Sequence, residues 1–295
     1  MGKYISRTMT FTGNLSRAIL HTLAYADVFD YPLTAREAQR YLTGAAASLQ
    51  DVERGLSDET LFARTEEYFT LRGRADIIPI RKQREEIASH LWKKAIRYGR
   101  WIASLPFVRM AAVTGSLSMD NAEAGKDIDY LLVTAPNRLW TVRAMTLALA
   151  RIARLESIHL CPNYLLTTNA LALDERSLYA ARELTQMIPL SGMDVYEQMR
   201  RLNAWADEFL PNAQGAPSAS RLVKFSTRWQ RLLEWILNFL HADWFEKWEM
   251  NRKIKKLSEK NTSRETYFSA DVCKGHVDGH GGRIHREWRK RVENV

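Results

Sequence analysis

The sequence predicts an α+β protein. A winged helix-turn-helix comes first, a small mixed sheet with flanking helices follows, and a helical region closes the chain. Three observations carry this. Three short helical patterns and an alternating hairpin pattern fill about the first eighty residues, a usual size for a small domain. Two apolar runs of strand length, "FVRMAAVTG" and "DIDYLLVT", then precede an amphipathic helix and a third run. Last, a stretch dense in aromatics follows the linker "PNAQGAPSAS". The implied units are 1–80, 81–210 and 221–295.

Residues 14–42 read as two helices. Leu15, Ile19, Thr22, Leu23 and Ala26 form one apolar stripe. Pro32 blocks helix at Tyr31, and Thr34 opens a capping box with Glu37. A third helix starts near Ser48 and turns Val52 and Leu56 inward. "LFARTEEYFTLRGR" alternates around a Thr-Glu-Glu turn, which predicts a hairpin. A charged helix over 81–103 carries Ile87, Leu91, Trp92, Ile96 and Trp101, and Pro106 ends it. After the two strands comes a helix over 138–155. "SIHLCPNYLLTT" is a third strand, with Pro162 predicting an edge or a bulge. "DERSLYAARELTQMI" and "DVYEQMRRLNAWADEFL" predict two more helices. Residues 221–250 predict one long helix, and the tail beyond about 257 shows only weak periodicity.

The totals set the function classes. With 295 residues and 46% hydrophobic content, the chain can build a sizeable core. No apolar run reaches the length of a membrane span, and no apolar signal segment opens the sequence. "MGKYIS" fits the short myristoylation pattern through Gly2 and Ser6, a pattern common by chance. Two cysteines, Cys161 and Cys273, fit a reducing cytosol rather than a disulfide framework, and the expected location is cytoplasmic. A net charge of +9 permits a polyanionic partner.

The chemistry gathers in "VTGSLSMDNAEAGKDIDYLLV", residues 113–133. Alternate residues of a strand share a face, so Asp127 and Asp129 project together. Two adjacent carboxylates repel unless a cation lies between them. Oxygen donors of this kind suit Mg²⁺ or Mn²⁺ completed by substrate phosphates. Gly115 lets backbone approach a ligand, and the turn amides with the Ser116 hydroxyl can hold a phosphate. Together they describe a site for a nucleoside triphosphate and its metal.

Gly115-Ser116 followed by Asp127-Ile128-Asp129 at a strand start resembles the DNA polymerase β-type nucleotidyltransferase superfamily, in particular bacterial members with an N-terminal winged helix. The resemblance covers the motif and the strand–helix–strand pattern over roughly 107–168. It implies a polymerase β-like domain that moves a nucleoside monophosphate from a triphosphate to an acceptor hydroxyl, with Asp127 and Asp129 holding metal. Gly115 and Ser116 would hold the triphosphate, assisted by Lys126, which stands where the superfamily has Ser or Thr. The superfamily draws a third carboxylate from a neighbouring strand. Here that strand holds no acid after Glu156, and Asn163 is the positional candidate for the third metal ligand. An amide oxygen can ligate a hard cation but cannot act as a general base. The alternative is therefore a catalytically degenerate nucleotide sensor coupled to a DNA-binding winged helix.

Other features fit weaker roles. Gln50, Arg54, Arg72 and Arg74 form the face through which the winged module would meet nucleic acid, though Asp51, Glu53, Asp58 and Glu59 surround the third helix. Cys273, His276, His280 and His285 have metal-like spacing without a closed zinc set. The better reading of that tail places Lys274, His276 and Arg283 in a basic loop near the phosphates. Cys161 reads as a small buried hydrophobe. The aromatic helix is expected to pack within the protein or on a second copy, because Glu234, Asp243, Glu246 and Glu249 would oppose anionic lipid.

Overall fold

The structure, a computed structural model, describes residues 15–217, 221–240, 242–260, 267–275 and 280–294. Its first elements follow from local sequence. Helix α1 (Leu15–Asp27) buries Ile19, Thr22, Leu23 and Ala26 along the predicted stripe. Strand β1 (Leu33–Thr34) leads into α2 (Ala35–Arg40). The Thr34 hydroxyl accepts from Glu37 N, and the Glu37 carboxylate accepts from Thr34 N at 2.8 Å, closing the capping box. Ser48 caps α3 (Leu49–Leu56) in the same way, at 3.2 Å from Asp51 N. Strands β2 (Phe62–Thr65) and β3 (Tyr68–Leu71) form the hairpin, and β1 adds to β3 to give three antiparallel strands ordered β1-β3-β2.

Helix α4 (Ile78–Ala103) ties this module to the next. Its Arg81 is 5% exposed and needs partners to be tolerated there. It donates to Glu37 at 2.8 Å and Glu85 at 2.6 Å, and stacks between the Tyr31 and Tyr68 rings.

A second sheet of six strands runs in the order Ile188–Ser191, Val108–Val113, Ile128–Thr134, Leu160–Thr167, Val272–Lys274, Tyr267–Phe268. Its centre is β4 (Val108–Val113), β5 (Ile128–Thr134) and β6 (Leu160–Thr167). Strands β4 and β5 are antiparallel, whereas β5 and β6 are parallel, joined by helix α6 (Leu139–Arg154). A four-residue turn of helix, α5 (Gly115–Ser118), lies between β4 and β5. Ile128, Tyr130 and Leu132 pack with α4 and α6 on one face. Leu131 and Val133 point the other way, into a core shared with α1, α7 (Leu178–Gln186) and α8 (Met193–Leu202). Asp129 alternates with them and shares their face.

Several predicted elements are corrected. The helix predicted through "LTQMI" stops at Gln186, because Ile188–Ser191 pairs with β4 as strand β7. "DVYEQMRRLNAWADEFL" divides into α8 and a short α9 (Ala206–Phe209). The weakly periodic tail contains the antiparallel pair β8 (Tyr267–Phe268) and β9 (Val272–Lys274), which extends the sheet beyond β6. Helix α12 (His280–Glu293) then returns to α1. There Trp288 donates to His21 O at 2.9 Å, and Arg291 donates to Asp27 at 2.6 Å.

The single helix predicted over 221–250 is two, α10 (Thr227–Phe239) and α11 (Ala242–Lys260). Both send polar side chains to the protein: Gln230 and Glu234 from α10, Glu246 and Glu249 from α11. One continuous helix would turn Glu246 about 120° away from Glu234. Helix α10 packs on the protein through Gln230, Glu234 and the partly buried Leu237, while its aromatic side chains are exposed among the described residues. No helix among the described residues is long and apolar enough to cross a membrane.

Candidate metal and nucleotide site

The site forms where β4 ends beside the start of β5. Thr114 N donates to Asp129 O at 3.0 Å, which fixes the two strand ends against each other. Gly115 follows with φ +65°, the left-handed region that other residues enter only with strain. A Cβ there would stand 2.5 Å from Asp129 Oδ2. The missing side chain is thus the space in which the carboxylate lies. Ser116 is exposed on the same turn, and Asn121 N donates to its carbonyl at 2.9 Å, holding the loop.

Asp127 is exposed just before β5, and Asp129 is half-buried within it. Burial, and then the charge of Asp127, push the Asp129 carboxyl up to about 7. Among the described residues no cationic side chain offsets this at Asp129. Lys126, expected to assist, is exposed and leans toward Glu123 at 3.7 Å. A basic group does stand beside Asp127: His159 Nδ1 lies 3.4 Å from Asp127 Oδ1.

Strand β6 decides what stands opposite. Cys161 is the register partner of Asp129, and a shift between Tyr130 and Leu131 leaves Asn163 as the extra residue of a bulge. The bulge predicted from Pro162 is therefore present, and it turns Asn163 toward the site. Asn163 Nδ2 donates to Asp129 Oδ1 at 3.1 Å. The Cys161 thiol bonds to the same carboxylate and is pushed up to about 12 by burial and the two aspartates. Cys161 is thus a donor to the site rather than a plain core filler.

A carboxylate does lie nearby, on a different element. Glu183 of α7 is pushed up to about 7 by burial and then by Asp129, with Lys274 opposing. It shares a cavity of about 60 Å³ with Thr114, Asn163, Tyr164, Tyr179 and Lys274. That volume admits several waters or a small polar group. Lys274 reaches Glu175 at 2.8 Å across the cavity mouth. Among the described residues no three His, Cys, Asp or Glu side chains converge closely enough to hold a metal unaided. The two aspartates, beside the cradle left by Gly115, are oxygen donors of the kind a hard cation takes, and would need further ligands from outside this set.

The structure brings Gly115, Asp127, Asp129 and Asn163 together, with Ser116 on the adjoining turn, and leaves Lys126 aside. Sequence reasoning missed His159, Cys161 and Glu183. His159 directly precedes β6 and Cys161 is its second residue, where pairing with β5 sets Cys161 opposite Asp129. Glu183 carries no local mark, since only the packing of α7 on the sheet brings it near.

The surface expected to meet nucleic acid is less basic than the sequence suggested. Arg54 pairs with Asp51 at 3.4 Å. Arg74 is held by Asp27, Asp30 and Asp76, so it is a structural fork. The hairpin turn carries Glu66 and Glu67, while Gln50 and Arg72 are exposed. Of the Cys/His set, Cys273 is buried on β9 and His285 packs on Trp288, while the side chain of His280 lies outside the described residues. His276 lies outside the described residues, as do Gly2 and Ser6. Comparison with family models, curated proteins and solved structures returns no match for this chain.

Proposed function

We propose that the chain is a metal-dependent nucleotidyltransferase of polymerase β type, which moves a nucleoside monophosphate from a nucleoside triphosphate to an acceptor hydroxyl. The observation that carries this is the contact between Gly115 and Asp129. It sets the inner member of a carboxylate pair, with only His159 beside the outer member among the described residues, against the Gly115 turn. Three helices with an antiparallel hairpin support a winged module, and the order β4–α5–β5–α6–β6 supports the polymerase β-like domain.

In this reading Asp127 and Asp129 hold Mg²⁺ or Mn²⁺, while Gly115 and Ser116 hold the triphosphate. When bound, the cation supplies charge neutralisation for the phosphates and for the departing pyrophosphate. Asn163 and Cys161 fix the Asp129 carboxylate from the far side, so its other oxygen faces Gly115.

The test is incubation with labelled triphosphates, Mg²⁺ or Mn²⁺, and cell extract as the source of acceptor. Label should pass to an acceptor with the natural chain and not with Asp127→Asn. Unchanged transfer by that variant would sink the site assignment. One observation favours the degenerate sensor as a second reading: the residue turned toward Asp129 from β6 is an amide rather than a carboxylate. Tight triphosphate binding without transfer, together with salt-sensitive DNA binding, would select it.

A further inference from the structure

Helix α10 is inside out. Gln230, Glu234 and Asn238 recur every four residues and face the protein. Gln230 Nε2 donates to Leu105 O at 2.8 Å and Val108 O at 2.9 Å. Glu234 accepts from Phe107 N and Arg109, both at 2.7 Å, and Asn238 accepts from Arg138 at 2.8 Å. The apolar side therefore faces out. Trp229, Leu232, Trp235, Ile236, Phe239 and Leu240 are all exposed, Trp235 by 68% and Phe239 by 75%. On α11, Trp244 and Trp248 continue the exposed aromatic surface. An unpartnered apolar face of this extent marks an interaction site.

The charges around it choose the partner. The four acids that would oppose anionic lipid are removed from the outer face or neutralised. Glu234 binds Arg109, and Asp243 binds Arg138 at 2.5 Å. Glu246 is 5% exposed and accepts from Trp140 N and Thr141 N. Glu249 is 3% exposed and is held by Arg252 and Lys253. Cations remain outside: Lys224, Arg228 and Arg231 near α10, Lys247 and Lys255 on α11. Trp244, Trp248 and Lys255 lie at helical spacing on one side of α11.

We infer that α10 and α11 form a docking surface for an anionic membrane, lying flat in its interface without spanning it. Aromatic rings with a basic rim are the features that seat a helix at the lipid headgroups, and each added cation strengthens attraction to anionic lipid. A second copy fits less well, because pairing this face with itself would bring the same cations together, in a chain of net charge +9.

The test uses the full chain and sedimentation with vesicles of phosphatidylcholine alone or with 30% phosphatidylserine. The natural chain should bind the anionic vesicles at least tenfold better at low salt, lose most of that in 0.5 M NaCl, and shift its tryptophan emission to the blue. Trp235→Glu with Phe239→Glu should bind at least tenfold less. Both side chains face solvent, so the thermal midpoint and circular dichroism should stay those of the natural chain. Lys247→Glu with Lys255→Glu should also weaken binding, whereas Arg54→Glu on α3 should not. Equal binding to both vesicle types, or by the aromatic variant, overturns the inference. So does a stable dimer that the aromatic variant splits while neither form binds vesicles, which would assign the face to a second copy.

Discussion

Gly115→Ala tests the site at its tightest point. A non-glycine residue at φ +65° costs about 1–2 kcal/mol in backbone strain. The new Cβ would also meet Asp129 Oδ2 at 2.5 Å, almost an ångström inside ordinary contact. The carboxylate must swing away, breaking its bond from Asn163 or spreading the turn. We expect a stability loss of about 2–3 kcal/mol, or roughly 3–5 °C in the thermal midpoint of a chain this long. The effect on function should be larger. An ångström of misplacement in a reacting constellation lowers rates on the order of 100-fold, so Mn²⁺-dependent triphosphate binding or transfer should fall by that order. Gly73→Ala separates the two causes. Gly73 has φ +82°, and its Cβ would meet nothing within 4 Å. It should therefore show the backbone strain alone, with metal and nucleotide affinity intact. Calorimetric titration of both variants with Mn²⁺ and a non-hydrolysable triphosphate gives the comparison. Affinity of Gly115→Ala within twofold of the natural chain refutes the role given to this contact.

Further predictions follow from the same geometry. The Asp129 carboxyl rises from 3.8 to about 7 on folding, so the folded form keeps a proton that the unfolded chain releases. Stability should thus fall as pH rises from 4 to 7, by about 4 kcal/mol, and stay low above 7. Asp129→Asn removes that penalty. Without added cation it should melt higher than the natural chain at pH 8 and close to it at pH 4, and a lower melting point at pH 8 contradicts the assignment. Cation binding displaces the same proton, so Mn²⁺ affinity should climb about tenfold per pH unit up to 7 and then level off; a flat profile between pH 5.5 and 7 excludes Asp129 as the ligand. Glu246→Ala leaves the N-terminus of α6 without its carboxylate cap and should destabilise the chain by about 3 kcal/mol in urea melts. A loss below 0.5 kcal/mol would mean that water serves that helix end equally well.

What the sequence disclosed depended on how local its cause was. The Thr34–Glu37 box, the Ser48 cap and the Gly115-to-Asp129 motif are short patterns whose partners lie within a few turns of chain, and each sits where the pattern placed it. Strand β7 escaped notice because four residues with Pro189 among them follow directly on a helix, and only pairing with β4 makes them a strand. Strands β8 and β9 depend likewise on β6, a hundred residues earlier in the chain. The acids of α10 and α11 misled for the same reason. Their partners are Phe107 N, Arg109 and the first amides of α6, none of which a helical wheel displays.

The return of α12 to α1 bears on how the chain is made. Asp27 is 5% exposed and divides its charge between Arg74 and Arg291, the second lying 264 residues further along. At synthesis rates of about 5–20 residues per second, roughly 15–50 s separate the two. Over that interval the first helix has emerged with half of its ionic partners and without the Trp288 ring over His21. Strand β6 meanwhile shows an open edge until residues 272–274 arrive, and open edges invite pairing with other chains. A ribosome stalled within the linker would therefore hold an N-terminal module and a sheet that are both unfinished. Completion comes to both at nearly the same moment, when β9 and then α12 leave the exit tunnel.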